Sequence, residues 1–272
     1  MHIGFNMQES YMNPLNIDPI IFSIGPVSVR WYGMMYVIGF VIANYLLKKL
    51  VDRGFYKIPK ENIDTMITTM LICMFLGARF AYVFIYNWDY YSGHLGELFY
   101  VWQGGLSFHG ALAGLLFGGW YFARKNGVSW AQVMDATALA GTPGLFFGRM
   151  GNFINGELYG RVTDSAFGMV FKTGGPYPRH PSQLYEAFAE GLLLTLILWF
   201  IMTKVKRHGV IACSFVIGYG FFRYFIEFFR EADQQLGYYF GGTTTMGQIL
   251  CILMIIFGFF AIYLNSKRED PI

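Results

Sequence analysis

Charged and amide side chains are concentrated in the stretch GRMGNFINGELYGR, residues 148–161, at the end of an apolar run. Arg149 and Asn152 are three residues apart and share a face if the preceding helix continues that far. The glycines between them and beyond let a backbone approach a ligand closely and offer amide donors to an anion. A polar helix end wetted by headgroups is the structural alternative. Charges near hydrocarbon are costly unless paired, so this stretch predicts a polar partner.

A second group of charges lies in GYGFFRYFIEFFREAD, where Arg223, Glu227 and Arg230 follow at i, i+4 and i+7. This spacing predicts one stripe of one helix. An ionisable residue inside a membrane span faces the bundle interior and marks a functional site by default. An internal Arg–Glu pair that only orients the helix is the alternative. One pair neutralises one arginine, so the stripe predicts a surplus positive charge.

His109, in WQGGLSFHGALAG, is embedded in an apolar, glycine-rich segment. A lone histidine is more often a hydrogen-bonded core residue than a catalyst. We expect His109 near the outer end of its span, level with Arg149, where an imidazole could exchange protons near neutral pH.

Three further polar positions have weaker signals. Tyr32, in VRWYGMMYV, fits either a belt of interfacial aromatic residues or the lining of a pocket. In RHPSQLYE, Pro181 suits the first turn of a helix and Ser182 is expected to cap it. Arg79, inside an apolar run, is expected to pair with an acidic group.

The elements that must position these residues are predicted from composition and hydropathy. The chain has 272 residues, of which 55% are hydrophobic and only 14% charged, and apolar runs near twenty residues recur along it. This pattern indicates an all-α, polytopic membrane protein, a single integral membrane domain over residues 1–272. Seven spans are predicted: Trp31 to Lys49, Met66 to Tyr86, Leu106 to Ala123, Val133 to Met150, Leu184 to Thr203, Val210 to Phe229, and Thr245 to Asn265. The fourth contains Pro143 and several glycines and is expected to be interrupted.

The distribution of Lys and Arg predicts the orientation. Basic residues cluster after the first, third, fifth and seventh spans, as Lys57, Lys206 and Lys267 with Arg268 illustrate. The positive-inside rule then puts the amino terminus outside and the carboxyl terminus in the cytoplasm. Residues 151–183 between the fourth and fifth helices become a small, compact extracytoplasmic insertion.

Other classes of function have little support. The net charge of +3 gives no indication of nucleic-acid binding. The three cysteines lie in apolar runs without metal-ligand spacing, so no metal is predicted. Arginines, glycine amides and a histidine at the outer interface instead suit a phosphate ester, and a phospholipid supplies one at that depth.

The motifs GRMGNFINGELYGR, SFHGALAG, HPSQLYE, RWYG and FRYFIEFFRE together resemble the prolipoprotein diacylglyceryl transferase family, and the resemblance extends from about Ile17 to the last span. It implies a bacterial enzyme of the inner (cytoplasmic) membrane with its active site towards the outer leaflet and no cofactor. Such an enzyme moves the diacylglyceryl group of phosphatidylglycerol onto the lipobox cysteine of a prolipoprotein signal peptide and releases glycerol phosphate. Ala111 stands where the family usually has a second glycine, and we expect activity to survive the added methyl group.

The resemblance also implies roles for individual residues. Arg149 and Arg223 would grip the phosphate and His109 would accept the thiol proton. The residues implied to bind phosphatidylglycerol are Tyr32, Arg149, Asn152, Asn155, Glu157, Gly160, Arg223, Glu227 and Arg230. The alternative from another class is a phospholipid transporter or lipid-binding membrane protein without chemistry, although transporters often contain repeated halves and none is evident here.

Overall fold

The protein is described by a computed structural model, which covers residues 17–25, 27–100, 104–231, 238–239 and 244–267. Arg268, which contributed to the predicted orientation, lies outside these residues. The described chain is mostly helical. Its helices are α1 (Trp31–Asp52), α2 (Ile63–Ala81), α3 (Trp88–Tyr91), α4 (Phe108–Asn126), α5 (Trp130–Asn155), α6 (Ser182–Glu186), α7 (Leu194–Lys204), α8 (Val210–Ile226) and α9 (Met246–Ser266).

Long helices lie at all seven predicted positions. Four helical runs in the described residues are long and apolar enough to cross a membrane: Trp31–Asp52, Lys60–Tyr86, Ser182–Lys204 and Met246–Ser266. Many of their large apolar side chains point outward, as at Leu76 and Phe257, which are 65% and 63% exposed. A large apolar surface of this kind suits hydrocarbon rather than water. The prediction of a multi-pass membrane protein is therefore confirmed, whereas the number of spans and their orientation stay predictions.

The fourth predicted helix is not interrupted. α5 runs without a break over 26 residues, with Pro143 inside it. Proline lacks a main-chain donor, so one hydrogen bond of the helix is missing at Pro143, yet membrane helices tolerate such a proline. The hydroxyl of Thr142 donates to the carbonyl oxygen of Ala138 at 2.5 Å. The expectation of a broken helix was wrong, because the loss of one hydrogen bond at Pro143 and the nearby glycines did not end the helix.

The fifth predicted helix contains an irregular turn instead. A π-helical segment, Ala187–Leu193, connects α6 to α7. Gly191 within it lies so close to α5 that an added Cβ would be 2.6 Å from backbone atoms of Phe146. Wide turns of this type are rare and frequently occur at functional sites. This one rotates Glu190, on the segment, into the protein interior.

Two pairs of short antiparallel strands lie among the described residues, so the all-α prediction missed a minor β component. β1 (Ile20–Ile24) pairs antiparallel with β2 (Val27–Arg30), which leads directly into α1. β3 (Tyr238–Tyr239) pairs with β4 (Thr244–Thr245), which leads into α9. Strands of two to five residues are too short to be read reliably from sequence.

The chain divides into two compact units, residues 1–43 with 138–272, and residues 44–137. In the second unit, α2 and α4 pack closely through small residues, because a Cβ on Gly77 or Gly114 would collide with the backbone of the facing helix. Such stripes of small residues are common in membrane helix packing. In the first unit, α8 and α9 meet through Gly220 and Gly258. The prediction of one integral membrane domain over residues 1–272 stays a prediction.

The segment predicted as a compact insertion begins later than expected, because α5 continues to Asn155. Its backbone then folds on itself through isolated bridges that join Arg179 to Val162 and to Met169. The hydroxyl of Tyr159 donates to the carbonyl oxygen of Thr173 at 2.8 Å. These contacts fold the segment back on itself, and its place outside the membrane stays a prediction.

Candidate functional site

A buried network of ion pairs joins three parts of the first unit. Glu186, at the end of α6, has a fully buried side chain. Its carboxylate accepts Arg149 Nη2 from α5 at 2.6 Å, Arg223 Nη1 from α8 at 3.1 Å and Arg230 Nη1 at 2.8 Å. One carboxylate therefore holds three guanidinium groups that come from distant parts of the sequence.

Glu227 completes the network on its other side. Its Oε2 lies 3.3 Å from Arg223 Nε and 3.7 Å from Arg230 Nε. Its Oε1 accepts a hydrogen bond from the hydroxyl of Thr245 at 3.1 Å. Thr245 also caps α9 through a capping box with Gln248, so the network is anchored to the start of that helix.

The predicted stripe of charges on a single helix was partly wrong. α8 ends at Ile226, with Glu227 as its C-cap. Arg230 lies beyond the helix, but its amide donates to the carbonyl oxygen of Ile226 at 3.2 Å. This additional turn places the Arg230 side chain beside Glu186 and Glu227. The arginine reaches the same two glutamates despite the shorter helix.

Further acids lie beside the stripe whose spacing predicted a surplus positive charge. Glu190, another fully buried acid, lies 3.8 Å from Arg149 Nη2. With Glu186 and Glu227, it supplies three carboxylates beside three arginines. Glu186 and Glu190 were not among the residues predicted for the site. Their spacing, four residues apart inside an apolar run, was the signal that could have found them.

The arginines keep hydrogen-bond donors that these pairs do not use. Within the part of the chain that the structure describes, Nη2 of Arg149 contacts Glu186 and Glu190, and Nη1 and Nε of Arg223 contact Glu186 and Glu227. Their side chains remain 19% and 18% exposed, whereas Glu186 is fully buried. A guanidinium has five donors in a fixed plane, so both can donate to a second anion while the glutamates stay in place.

A polar turn follows α5 directly. Asn152 and Asn155 donate through Nδ2 to Glu157 Oε1 at 2.9 and 3.3 Å. Gly156, with φ of +65°, provides the left-handed conformation at which this chain reverses. Arg149 and Asn152 do share the last turns of one helix, as predicted, because α5 continues through both.

A cavity of about 710 Å³ opens beside this turn. Tyr32, Asn155 and Glu157, all predicted to bind substrate, contribute to its wall together with Arg30 and Gly33. The cavity has an amide, a carboxylate and a phenol at its surface and apolar atoms around them. This composition is typical of a small-molecule site with a few polar groups that fix orientation.

The HPSQ segment supports the polar turn and does not cap a helix as expected. Pro181 is the N-cap of α6 and makes no side-chain capping bond. The hydroxyl of Ser182 instead donates to the carbonyl oxygen of Leu158 at 3.0 Å, and Gln183 Nε2 donates to that of Glu157 at 2.6 Å. Leu158 has φ of 58°, an uncommon value for a residue with a side chain. These two bonds satisfy the carbonyls that the strained turn directs inward.

Gly160 lets the main chain at His180 and Phe229 lie close to its own backbone. Its amide donates to the carbonyl oxygen of His180 at 2.8 Å, and an added Cβ would lie 2.2 Å from the carbonyl oxygen of Phe229. Burial lowers the pKa of His180, whose ring contacts Phe229. Gly160 thus joins the segment after α5 to the end of α8, beside Arg230.

His109 belongs to the second unit, in the first turn of α4. Its Nδ1 lies 3.3 Å from the hydroxyl of Tyr86, which ends the π-helical turn Tyr82–Tyr86 after α2. The ring is exposed at a cavity of about 400 Å³ whose other lining residues are nearly all apolar or glycine, among them Phe80 and Phe117. The imidazole is therefore accessible, and it has a hydrogen-bond partner that can orient it.

Arg79 does not pair with an acid among the described residues. Its guanidinium donates to carbonyl oxygens and lies beside the rings of Tyr82 and Tyr91. The expectation of an ion pair was wrong because several main-chain carbonyls can satisfy a buried guanidinium as well as one carboxylate can.

The chain is similar to known proteins over most of its length. A family model described as prolipoprotein diacylglyceryl transferase matches residues 19–264. Three similar proteins are each named phosphatidylglycerol–prolipoprotein diacylglyceryl transferase. The one from Nitratidesulfovibrio vulgaris is 44% identical over 89% of this chain and 92% of its own length. The one from Geobacter sulfurreducens is 43% identical over 93% and 97%, and the one from Vibrio vulnificus 46% over 93% and 93%.

Proposed function

The chain belongs to the prolipoprotein diacylglyceryl transferase family, and from that membership we propose how its residues share the reaction. The protein is a bacterial membrane transferase that moves the diacylglyceryl group of phosphatidylglycerol to a prolipoprotein, the first step of lipoprotein maturation. We propose that the acceptor is the thiol of the lipobox cysteine in the signal peptide and that glycerol phosphate leaves.

Arg149 and Arg223 bind the phosphate in this proposal. The observation that carries it is the set of three arginines held by the buried Glu186, with donors of Arg149 and Arg223 left over on partly exposed side chains. Guanidinium groups form bidentate bonds to phosphate oxygens. Because the glutamates already fix both side chains, little ordering of them is needed when the anion binds.

The glycerol headgroup occupies the cavity lined by Tyr32, Asn155 and Glu157. Glu157 accepts hydrogen bonds from its hydroxyl groups, and Asn152 and Asn155 hold that carboxylate in place. Gly160 and Arg230 form an antiparallel bridge, which holds the segment after α5 against the chain that follows α8. Glu227 orients Arg223.

His109 accepts the proton of the thiol. An unperturbed thiol has a pKa of about 8.5 and is a weak nucleophile until it is ionised. The thiolate attacks the glycerol carbon of the diacylglyceryl group, so a C–S bond forms and the C–O bond to phosphate breaks. The electron pair of that bond goes to the departing glycerol phosphate, whose additional negative charge the arginines stabilise. No covalent enzyme intermediate and no cofactor are required.

The topology proposed with this mechanism has seven spans in one integral membrane domain. The amino terminus and residues 151–183 are outside, the carboxyl terminus is cytoplasmic, and the site faces the outer leaflet of the inner membrane. The lysine-rich alternate loops support this orientation. A phospholipid then presents its phosphate at the depth of the arginines.

The test is a reconstituted transfer assay with purified protein, phosphatidylglycerol and a lipobox peptide. We expect the peptide to gain the mass of one diacylglyceryl group while glycerol phosphate appears in equal amount. A Cys→Ser peptide serves as the matched control. Lipid binding without any change in peptide mass would instead indicate a transporter or a lipid-binding protein.

A further inference from the structure

Arg79 is a buried arginine to which the proposed reaction gives no role. It lies in the last turn of α2 and is 9% exposed. Its Nε donates to the carbonyl oxygen of Leu98 at 2.8 Å, Nη2 to that of Glu97 at 2.9 Å, and Nη1 to those of Gly104 and Gly105 at 3.1 Å each. One side chain therefore binds four main-chain carbonyls.

These carbonyls lie on both sides of residues 101–103, so Arg79 ties the chain after α3 to the chain before α4. Gly105 is adapted to this contact. It has φ of +78°, and an added Cβ would lie 2.4 Å from the ring of Tyr82 and 2.8 Å from Arg79 Nη1. A side chain at this position would push the carbonyl away from the guanidinium.

Further hydrogen bonds connect the end of α2 to the start of α4. The amide of Ser107 donates to the carbonyl oxygen of Ala78, the residue before Arg79, at 3.0 Å. The hydroxyl of Ser107 then caps α4 by accepting the amide of Gly110 at 3.2 Å. His109 lies between this cap residue and Gly110, so the same contacts fix its backbone.

The partner of the imidazole comes from the same end of α2. Tyr86, whose hydroxyl lies 3.3 Å from His109 Nδ1, closes the π-helical turn Tyr82–Tyr86 that begins three residues after Arg79. Tyr82 in that turn is also beside the guanidinium, with 5.8 Å from Arg79 Cζ to its ring centroid. Arg79 thus contacts the segments that set both the backbone and the hydrogen-bond partner of His109.

We propose that Arg79 is a positioning residue for His109, which acts through the main chain and does not touch substrate. The inference rests on the proposed role of His109 as the base. A displacement of about 1 Å at a reacting group can cost roughly 10²-fold in rate. Arg79→Ala should therefore lower kcat for transfer by 10- to 100-fold, with the KM for phosphatidylglycerol changed by less than threefold.

The decisive measurement is chemical rescue. Guanidinium ion at a non-denaturing concentration should restore much of the kcat of Arg79→Ala, because it can refill the site and donate to the same carbonyls. An equal concentration of sodium chloride should not. Arg79→Lys should remain impaired, since an ammonium cannot reach four carbonyls in one plane. Arg124→Ala, at the exposed far end of α4, is the matched control and should keep the wild-type rate.

Gly105→Ala provides a second variant if Arg79→Ala does not fold. The added methyl group disturbs the hydrogen bond between Arg79 and the carbonyl oxygen of Gly105. This variant should therefore lower kcat as Arg79→Ala does, but guanidinium should not rescue it. A wild-type kcat in either folded variant overturns the proposal, and so does a loss in Arg79→Ala that guanidinium leaves unchanged.

The His109→Gln background separates this proposal from the proposed function. If both hold, His109→Gln is impaired and adding Arg79→Ala costs less than threefold more. If His109→Gln transfers at the wild-type rate, the assignment of the base has failed. If His109→Gln is impaired but Arg79→Ala is not, only the positioning role has failed.

Discussion

Arg149 Nη2 and Glu186 Oε2 lie 2.6 Å apart, and the glutamate side chain is fully buried while that of the arginine is 19% exposed. The pair joins α5 to α6, two helices separated by the whole segment that contains the polar turn. A buried carboxylate that also binds Arg223 and Arg230 acts as a common support for the proposed phosphate site.

Glu186→Gln should damage both stability and activity. The amide keeps the size of the side chain but leaves three guanidinium groups without their shared counter-charge, and breaking a buried pair costs about 3–5 kcal/mol. We expect a lower unfolding midpoint in detergent and a loss of transfer. Glu61→Gln, at an exposed acid, is the control. Unchanged stability and rate in Glu186→Gln would show that the network is not needed.

Arg149→Ala should lower the transfer rate by roughly thirtyfold or more, since loss of a desolvated charge contact costs about 2 kcal/mol or more. Arg149→Lys should recover only part of it, because an ammonium cannot form the bidentate fork. Steady-state rates over a range of phosphatidylglycerol concentrations measure the effect. The phosphate assignment fails if Arg149→Ala and Arg223→Ala both transfer normally.

His109→Gln should lower transfer by roughly 10²–10⁴-fold, the usual contribution of a positioned general base. Glutamine retains hydrogen-bonding capacity, so fold and lipid binding should persist. Raising the pH should recover part of the rate because more of the peptide thiol is then ionised without a base. The rate is measured against pH, with exposed His94→Gln as control. A rate near wild type at pH 7 would make His109 a packing residue.

His180 should make the protein less stable in mild acid. Burial lowers its pKa in the folded protein below the unfolded value of about 6.5. The unfolded chain therefore binds more protons between the two values, and stability is lost as pH falls through the folded pKa. The melting temperature of His180→Gln should fall less than that of wild type between pH 7.5 and 5. Equal losses in both proteins would assign the acid sensitivity to other groups.

The proposed orientation can be tested by cysteine labelling. Cysteines introduced at Lys57 and Lys206 should resist an impermeant thiol reagent applied to intact cells, whereas one at Lys172 should react, because only the last is in an outer loop. Labelling after permeabilisation is the control for accessibility. The opposite pattern would exclude an external amino terminus.

The sequence alone determined where the long helices lie and which motifs carry polar groups. Apolar runs of membrane length are a local property, and so is the spacing that puts Arg149 and Asn152 on one face of α5. The family resemblance, now confirmed, depended on the same contiguous motifs. These features could be read without knowledge of how the helices pack.

Only the tertiary structure decided which partner each polar group has. A buried charge must be compensated, but the sequence does not state whether a carboxylate or several carbonyls will do it. Arg79 was expected to find an acid and instead binds Glu97, Leu98, Gly104 and Gly105 through their main chain. Ser182 bonds to Leu158 and not to its own helix. Glu186 gathers three arginines because α5, α6 and the end of α8 meet there, and that meeting depends on packing between residues far apart in the chain.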